Sequence, residues 1–309
     1  MRSFLIKRKN IFILAVIFFL LIIFSLPKTK YYISRLILSH ELSILPNLVF
    51  KKLDRKINFD MYKIENQKKT AVILNEYVFE HTLPIEINLD DGASWKLLHG
   101  SIWCDGVSDI LNRLLEVNNT RSYLVFLYAD NDVSPHTLSF VDFLDQPLIN
   151  GRNSSLEKET LYVFDPQNNY NPLNVRGEIV NISYMIQNKY EFKEMIKLDS
   201  DSVKLNLLSN NKAQLWDRNV FGSENSFIRN ISKKLVKFLP DIITKQIIKF
   251  SIFINPNLDA DYKKYIFARL EHVLINYDEA LKRYQFLKQN KIYENEAKIF
   301  YERIIKFNS

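Results

Sequence analysis

Three residues in this chain have the types and the order of a thiol nucleophile and its two helpers. Cys104 is the only cysteine and lies in the stretch Trp-Cys-Asp-Gly-Val-Ser-Asp-Ile-Leu. His136 opens a strand-like run, His-Thr-Leu-Ser-Phe-Val-Asp-Phe, and Asp165 closes the next one, Leu-Tyr-Val-Phe-Asp-Pro. A thiolate attacks a carbonyl carbon, a histidine acts as its base, and a carboxylate orients the histidine. The pattern indicates acyl transfer through a thioester.

The secondary structure predicted around these residues explains how each of them could take its chemical role. Residues 104–116 have the spacing of an amphipathic helix, which places Cys104 in the first turn, where unpaired N–H groups and the helix dipole favour thiolate. His136 and Asp165 would lie on neighbouring strands, close enough to contact without being close in sequence. Asp142 and Asp145 are alternative orienters, but Asp142 lies on the same predicted strand as the histidine.

The residues next to the thiol leave other interpretations open. A lone cysteine such as Cys104 is often an inert, buried core residue. Trp103 could stack over the thiol or the substrate, or it could be an ordinary packing residue. Trp95 and His99 lie just upstream, where a residue of an oxyanion hole or of the substrate cleft could originate, although positions on a surface loop are the more ordinary explanation.

Hydrophobic periodicity divides the rest of the chain into helical and strand-like stretches. The predicted elements are a helical segment over 28–60 interrupted at Pro46, a helix over 71–79, a loop over 83–100, strands over 123–128, 136–144, 161–164 and 177–185, and helices from 226 onward, with a long helix or helical hairpin over 262–307.

Residues 11–26 form a run without charge, IFILAVIFFLLIIFSL, and four basic residues precede it. The run predicts an uncleaved transmembrane signal anchor with the N-terminus in the cytoplasm. The remainder would then be exocytoplasmic, in the periplasm or at the cell surface, on a single-pass protein of the cytoplasmic (inner) membrane. A cleaved signal peptide is the alternative, although Ser-Leu-Pro-Lys after the run is a poor cleavage site. A domain on the cytoplasmic side is a further alternative.

Composition excludes several classes of protein. The net charge of +7 is scattered over 309 residues and forms no basic stripe with interleaved aromatics, so nucleic acid is not an expected partner. One cysteine rules out an internal disulfide and a cysteine-based zinc cluster. His40, His81 and His272 have no partners at metal-ligand spacing. No metal and no cofactor are predicted.

The sequence is divided into four segments. They are a cytoplasmic N-terminus with a transmembrane anchor (1–27), a juxtamembrane helical segment (28–69), a central domain (70–190) and a mainly helical region (191–309).

The motifs in residues 100–111, 134–143 and 162–166 of the central domain resemble the transglutaminase-like superfamily, of which this chain would be a bacterial, membrane-anchored member. The resemblance implies an α+β fold with a papain-like core: a cysteine at a helix N-terminus, packed on an antiparallel sheet that carries the histidine and the aspartate. The N-terminal transmembrane helix and the helical C-terminal region would flank this core. It also implies Cys104 as nucleophile, His136 as base and acid, and Asp165 as orienter.

The expected function follows from the resemblance together with the anchor. The chain would be a cysteine acyltransferase, protease or amidase acting on protein, peptide or amino-glycan in the cell envelope. The alternative is a non-catalytic accessory or binding protein in envelope or surface-polysaccharide assembly. The oligomeric state stays open.

Overall fold

The structure, a computed structural model, describes residues 26–39, 42–57, 64–84, 92–118, 120–127, 136–143, 159–188, 213–217 and 226–308. The helices in these ranges are α1 (Pro27–Ile37), α2 (Ile44–Ile57), α3 (Ile64–His81), α4 (Ala93–His99), α5 (Cys104–Val117), α6 (Ile182–Gln187), α7 (Ser226–Phe238), α8 (Asp241–Ile254), α9 (Ala260–Val273), α10 (Tyr277–Gln289) and α11 (Glu294–Asn308). The strands are β1 (Leu83–Pro84), β2 (Ser101–Ile102), β3 (Arg121–Leu127), β4 (His136–Asp142), β5 (Leu161–Phe164) and β6 (Ala213–Asp217).

Four of the described strands form an antiparallel sheet in the order β5-β4-β3-β6. One face packs against α5, and the other packs on a smaller apolar cluster that includes Phe140 of β4 and Met185 of α6. β4 is buried along its whole length: both of its faces are covered, β3 pairs with all of it, and β5 pairs with its second half. The short strands β1 and β2 pair in parallel, and β2 leads directly into α5.

The larger apolar core is built mainly from helices. A single cluster of buried side chains extends from Leu38 to Ile304 and includes members of α2, α3, α4, α5, α8, α9, α10 and α11. The helices beyond residue 226 therefore share one core with the helix that begins at Cys104.

Arg269 of α9 connects these helices at the centre of the core. Its side chain is fully buried, and Nη2 donates hydrogen bonds to the carbonyl oxygens of His81 and Leu97 (3.0 Å for the latter), at the ends of α3 and α4. Nη1 donates to Nδ1 of His272 at 3.0 Å, and the guanidinium lies 3.8 Å from the ring centroid of Phe300. Burial lowers the pKa of His272 well below its usual value, so the ring is neutral and can accept this hydrogen bond.

The turn after α4 depends on this close packing. Gly100 has φ of +81°, and a Cβ atom there would lie 2.6 Å from Nε of Arg269. Only glycine avoids both the backbone strain and the overlap. Tyr265 supports the same turn, because its hydroxyl donates to the carbonyl oxygen of His99 at 2.7 Å.

The predicted fold class is wrong. The described chain is mostly helical, and its sheet is limited to four strands, whereas the sequence predicted an α+β papain-like core with a helical tail. The physical reason is that helices before the sheet in the chain and helices after it bury their apolar faces in one common core. The predicted membrane helix at 11–26 lies outside the described residues, apart from Leu26. Within the described ranges, no helix is both long and apolar enough to cross a bilayer.

Several element predictions need correction. Residues 93–99, predicted as loop, form α4. The predicted strand at 177–185 is not formed: its last four residues belong to α6, because Oδ1 of Asn181 accepts the N–H of Tyr184 at 2.8 Å and caps that helix. The fourth strand is β6 instead. The long helix or helical hairpin predicted over 262–307 is three helices, with breaks at Ile275, where φ is +57°, and at Lys291, where φ is +55°. Pro46 lies in the first turn of α2, where proline is tolerated.

We expect Arg269→Ala to lower the free energy of unfolding by about 3 kcal/mol or more, because it leaves buried helix-end carbonyls unpaired and opens a cavity. Urea denaturation followed by circular dichroism measures this change. The matched control is Arg283→Ala in α10, which removes an exposed ion pair with Glu279. That variant should stay within about 0.5 kcal/mol of wild type. Equal effects of the two substitutions would contradict a central role for Arg269.

Candidate active site

Cys104 is the first residue of α5, and its side chain is partly exposed. Trp103 occupies the N-cap position in extended conformation, with φ −70° and ψ 167°. The N–H of Gly106 donates to Oδ1 of Asp105 at 2.8 Å, and the N–H of Val107 donates to the carbonyl oxygen of Trp103 at 3.0 Å. The other two N–H groups of the first turn, those of Cys104 and Asp105, have no acceptor within the helix.

Two serine hydrogen bonds hold the start of α5 on the sheet. Oγ of Ser108 donates to the carbonyl oxygen of Thr137 at 3.0 Å, and Oγ of Ser139 donates to the carbonyl oxygen of Ser108 at 3.3 Å. Gly106 permits the close approach of the preceding strand, because a Cβ there would lie only 3.3 Å from Cβ of Ile102. The helix start is therefore fixed relative to β4.

His136 is the first residue of β4 and connects the thiol to a carboxylate. Its Nε2 donates to Oδ2 of Asp165 at 3.0 Å, and the ring also makes a hydrogen bond with Cys104. Because Nε2 is occupied by the carboxylate, we infer that Nδ1 faces the sulfur. The ring is buried, with 3% of its surface exposed. The order of contacts is thiol, imidazole, carboxylate.

Asp165 follows β5 and is fully buried. In the ladder, Ser139 pairs with Phe164, and extending this register by one residue places Asp165 diagonally across from His136. Its carboxylate is held by the turn that follows. Oδ1 accepts the N–H of Gln167 at 3.1 Å, and Oδ2 accepts Nδ2 of Asn168 at 2.8 Å.

The electrostatics favour an ion pair between sulfur and imidazole. Burial alone would raise the pKa of the Cys104 thiol, but the hydrogen bond and charge of His136, with a hydrogen bond from Thr137, lower it below its ordinary value. Burial alone would lower the pKa of His136, but hydrogen bonds to Asp165 and Cys104 raise it to about 9. These opposed pKa shifts favour the thiolate–imidazolium pair over the neutral thiol and imidazole.

Two residues of the site were missed by the sequence analysis. The Thr137 side chain makes a hydrogen bond with the thiol, and Asn168 holds the carboxylate of Asp165. The sequence Asp-Pro-Gln-Asn over 165–168 is a turn signal and could have identified Asn168. No pattern in the sequence distinguishes Thr137 from the other polar residues of its strand.

The three predicted cleft residues have different positions. Trp103 directly precedes Cys104 in the chain, and its side chain is 49% exposed. Trp95 is buried in the large apolar core. His99 makes a hydrogen bond through Nδ1 to the hydroxyl of Tyr262 in α9, at 2.6 Å. The structure thus places Trp95 and His99 in the helical core, while Trp103 remains exposed next to Cys104 in the chain.

Of the two alternative orienters, only Asp142 lies within the described residues. Asp142 lies at the opposite end of β4 from His136, with its carboxylate 3.9 Å from Arg121. Asp145 lies outside the described residues. Among the residues that the structure describes, no three His, Cys, Asp or Glu side chains are grouped so that they could hold a metal ion.

Comparisons of the chain with protein-family models, with curated proteins and with solved structures found no match. The chemistry of the site is therefore inferred from the arrangement of its residues.

We expect Cys104 to react with iodoacetamide near pH 7 faster than an ordinary thiol, because His136 lowers its pKa. His136→Ala should reduce this rate at least about tenfold, because each unit by which the thiol pKa rises lowers the thiolate fraction about tenfold. The pH dependence of alkylation, followed by intact-mass spectrometry, gives the apparent thiol pKa for each variant.

The matched control is His99→Gln, which changes a histidine bound to Tyr262 and should leave the thiol pKa unchanged. Because the chain has one cysteine, Cys104→Ser gives the unlabelled baseline. A native thiol that reacts only in denaturant would contradict the ion pair.

Proposed function

We propose that this protein is a thiol enzyme that transfers or hydrolyses acyl groups through a thioester on Cys104. The observation that carries the proposal is the linear arrangement of Cys104, His136 and Asp165, with a lowered thiol pKa and a raised imidazole pKa. These are the opposing shifts that a nucleophile and its acid-base partner require.

The first half of the proposed reaction forms the thioester. The Cys104 thiolate attacks the carbonyl carbon of an amide or peptide bond, and the negative charge moves to the carbonyl oxygen. The N–H groups of Cys104 and Asp105, at the positive end of α5, are placed to stabilise that oxyanion. When the C–N bond breaks, protonated His136 gives its proton to the departing ammonia or amine.

The second half releases the acyl group. Water or a second amine attacks the thioester carbon while neutral His136 accepts its proton, and the C–S bond breaks to restore the thiolate. Water gives protease or amidase activity, and an amine gives cross-linking. Asp165 holds the tautomer and orientation of the imidazole throughout, as its hydrogen bond to Nε2 requires.

The resemblance of residues 100–111, 134–143 and 162–166 to the transglutaminase-like superfamily supports this reaction class. The support comes from the three motifs and the contacts among their residues, and it does not extend to the overall fold. The apolar run over 11–26 and the basic residues before it support a location at the cell envelope, with protein, peptide or amino-glycan as substrate.

We expect the rate of amide cleavage to depend on pH with two limbs. Activity should rise as Cys104 deprotonates and fall again as pH passes about 9, because His136 then loses the proton that the leaving amine needs. Alkylation of the thiol by iodoacetamide should show the first limb only, since it needs thiolate and no acid. Initial rates on a glutamine-containing peptide library, with and without a primary-amine acceptor, give the profile.

Asp165→Asn should reduce acyl transfer by about 10²–10⁴-fold, because the imidazolium loses its carboxylate and its orientation. The matched control is Asp142→Asn, another buried aspartate on the same sheet, which should retain activity if the fold is intact. Cys104→Ser should form no acyl-enzyme detectable by mass spectrometry. Absence of an acyl-enzyme from wild type with acyl-activated probes, such as thioesters and aryl esters, would refute the enzyme and favour the binding-protein alternative.

A further inference from the structure

The outward side of α8 carries large apolar side chains along its whole length. Four of them define its outer stripe: Ile242 (68% exposed), Ile243 (45%), Phe250 (51%) and Phe253 (68%). The first three of them, with Gln246 and Ile247, line a shallow apolar groove of about 340 Å³. The inward side of the same helix is buried, including Ile248 and Ile252. The stripe is therefore a second apolar face on a helix that already has one.

The preceding helix has the same property. On α7, Ile231 is 48% exposed, Leu235 is 45% exposed and Phe238 is 81% exposed, at the i, i+4, i+7 spacing of one helix face. Ser232 and Val236 of α7 are buried instead. Two consecutive helices thus present apolar stripes to solvent, which a protein surface rarely does without a partner.

Charge around the two stripes indicates what kind of partner fits. Residues 226–254 contain six basic side chains and one acidic one, Asp241. Two of the six, Lys245 and Lys249, pair with Glu271 of α9, whereas Lys234 and Lys237 of α7 are exposed beside the stripe. The carboxylate of Asp241 is already neutralised by Lys51 at 3.0 Å and Arg55 at 2.6 Å. Lys263 adds a further ammonium 5.9 Å from the ring centroid of Phe253. An apolar face with a basic surround fits a surface that is apolar inside and anionic at its edge.

The apolar run near the N-terminus is connected, through α1, to the surface formed by α7 and α8. Residues 11–26, the uncharged apolar run, end where α1 begins at Pro27. α1 packs on α8, and Oγ of Ser251 donates to the carbonyl oxygen of Ser34 at 2.9 Å. α1 also has exposed apolar residues, Tyr32 (67%) and Leu36 (57%). The most apolar segment of the sequence therefore joins the chain at a helix in direct contact with α8.

We propose that the outer stripes of α7 and α8 dock on the surface of an anionic lipid bilayer. The apolar side chains enter the headgroup boundary, and the lysines around them contact the lipid phosphates. A second copy of the chain fits less well, because a symmetric contact would bring the same basic residues of both copies together. The surface is separate from the thiol site, so the proposal does not depend on the enzymatic activity.

The single cysteine makes the test direct. In the full chain with Cys104→Ser, Phe250→Cys places a reporter thiol in the outer stripe, and Phe286→Cys places a matched one on α10, where the native phenylalanine is 50% exposed. Each is labelled with the environment-sensitive dye NBD and mixed with phosphatidylcholine vesicles, with or without phosphatidylglycerol. Ile242→Cys is a second stripe reporter in case Phe250→Cys does not fold, as checked by circular dichroism.

We expect a blue shift of NBD emission at positions 250 and 242 on vesicles with phosphatidylglycerol, a smaller shift without it, and a reduced shift at high salt. Position 286 should not change. No shift in the stripe, or an equal shift at 286, would overturn the proposal. Emission already blue-shifted without vesicles would overturn it as well. If that shift depends on protein concentration, the partner is a second copy, and if it does not, the chain covers its own stripe.

Discussion

The hydrogen bonds of the buried guanidinium of Arg269 are the contacts on which the arrangement around the thiol depends. They reach the carbonyl ends of α3 and α4, the two helices that precede the paired strands β1 and β2, and β2 ends two residues before Cys104. Among the described residues, Arg269 has no ion pair with a carboxylate. Its charge is stable there because two helix C-termini, each with partial negative charge, converge on it, and the ring of Phe300 adds a cation–π contact. The C-terminal helices are therefore part of the scaffold of the site.

The site itself needs few further constraints, because one strand supplies two of its groups. β4 provides His136 and Thr137 next to the sulfur, and the hydrogen bond from Ser108 to the carbonyl of Thr137 fixes α5 against that strand. Asp165 is oriented by its own turn rather than by solvent, so the imidazole has one favourable position. A change that shifts α5 along β4 would separate thiol and base while leaving the His136–Asp165 hydrogen bond intact.

Local sequence patterns predicted an element correctly where residues of that element stabilise it, through its apolar face or its ends. The helix starting at Cys104 and the strand over 161–164 lie where they were predicted, and ordering the three motifs predicted which side chains would meet. Predictions from local patterns failed for elements that are stabilised by residues far away in the sequence. α4 has seven residues and is held by α9, far along the chain, so no local period identifies it. The turn contacts of Asn168 and the hydrogen bond from Thr137 to the thiol exist only once the sheet has formed.

The proposed membrane face and the thiol site are connected through α9. Glu271 is almost fully buried and pairs with Lys245 and Lys249 of α8, the latter at 3.0 Å, and these lysines lower its pKa despite burial. Two residues before it on the same helix, Arg269 holds the turn that leads to Cys104. Because α8 is tied to α9 by buried ion pairs and α9 is tied to α4 by buried hydrogen bonds, docking of α8 on lipid would set the height and orientation of the thiol above the bilayer. Substrates would then be selected by their distance from the membrane as well as by their chemistry.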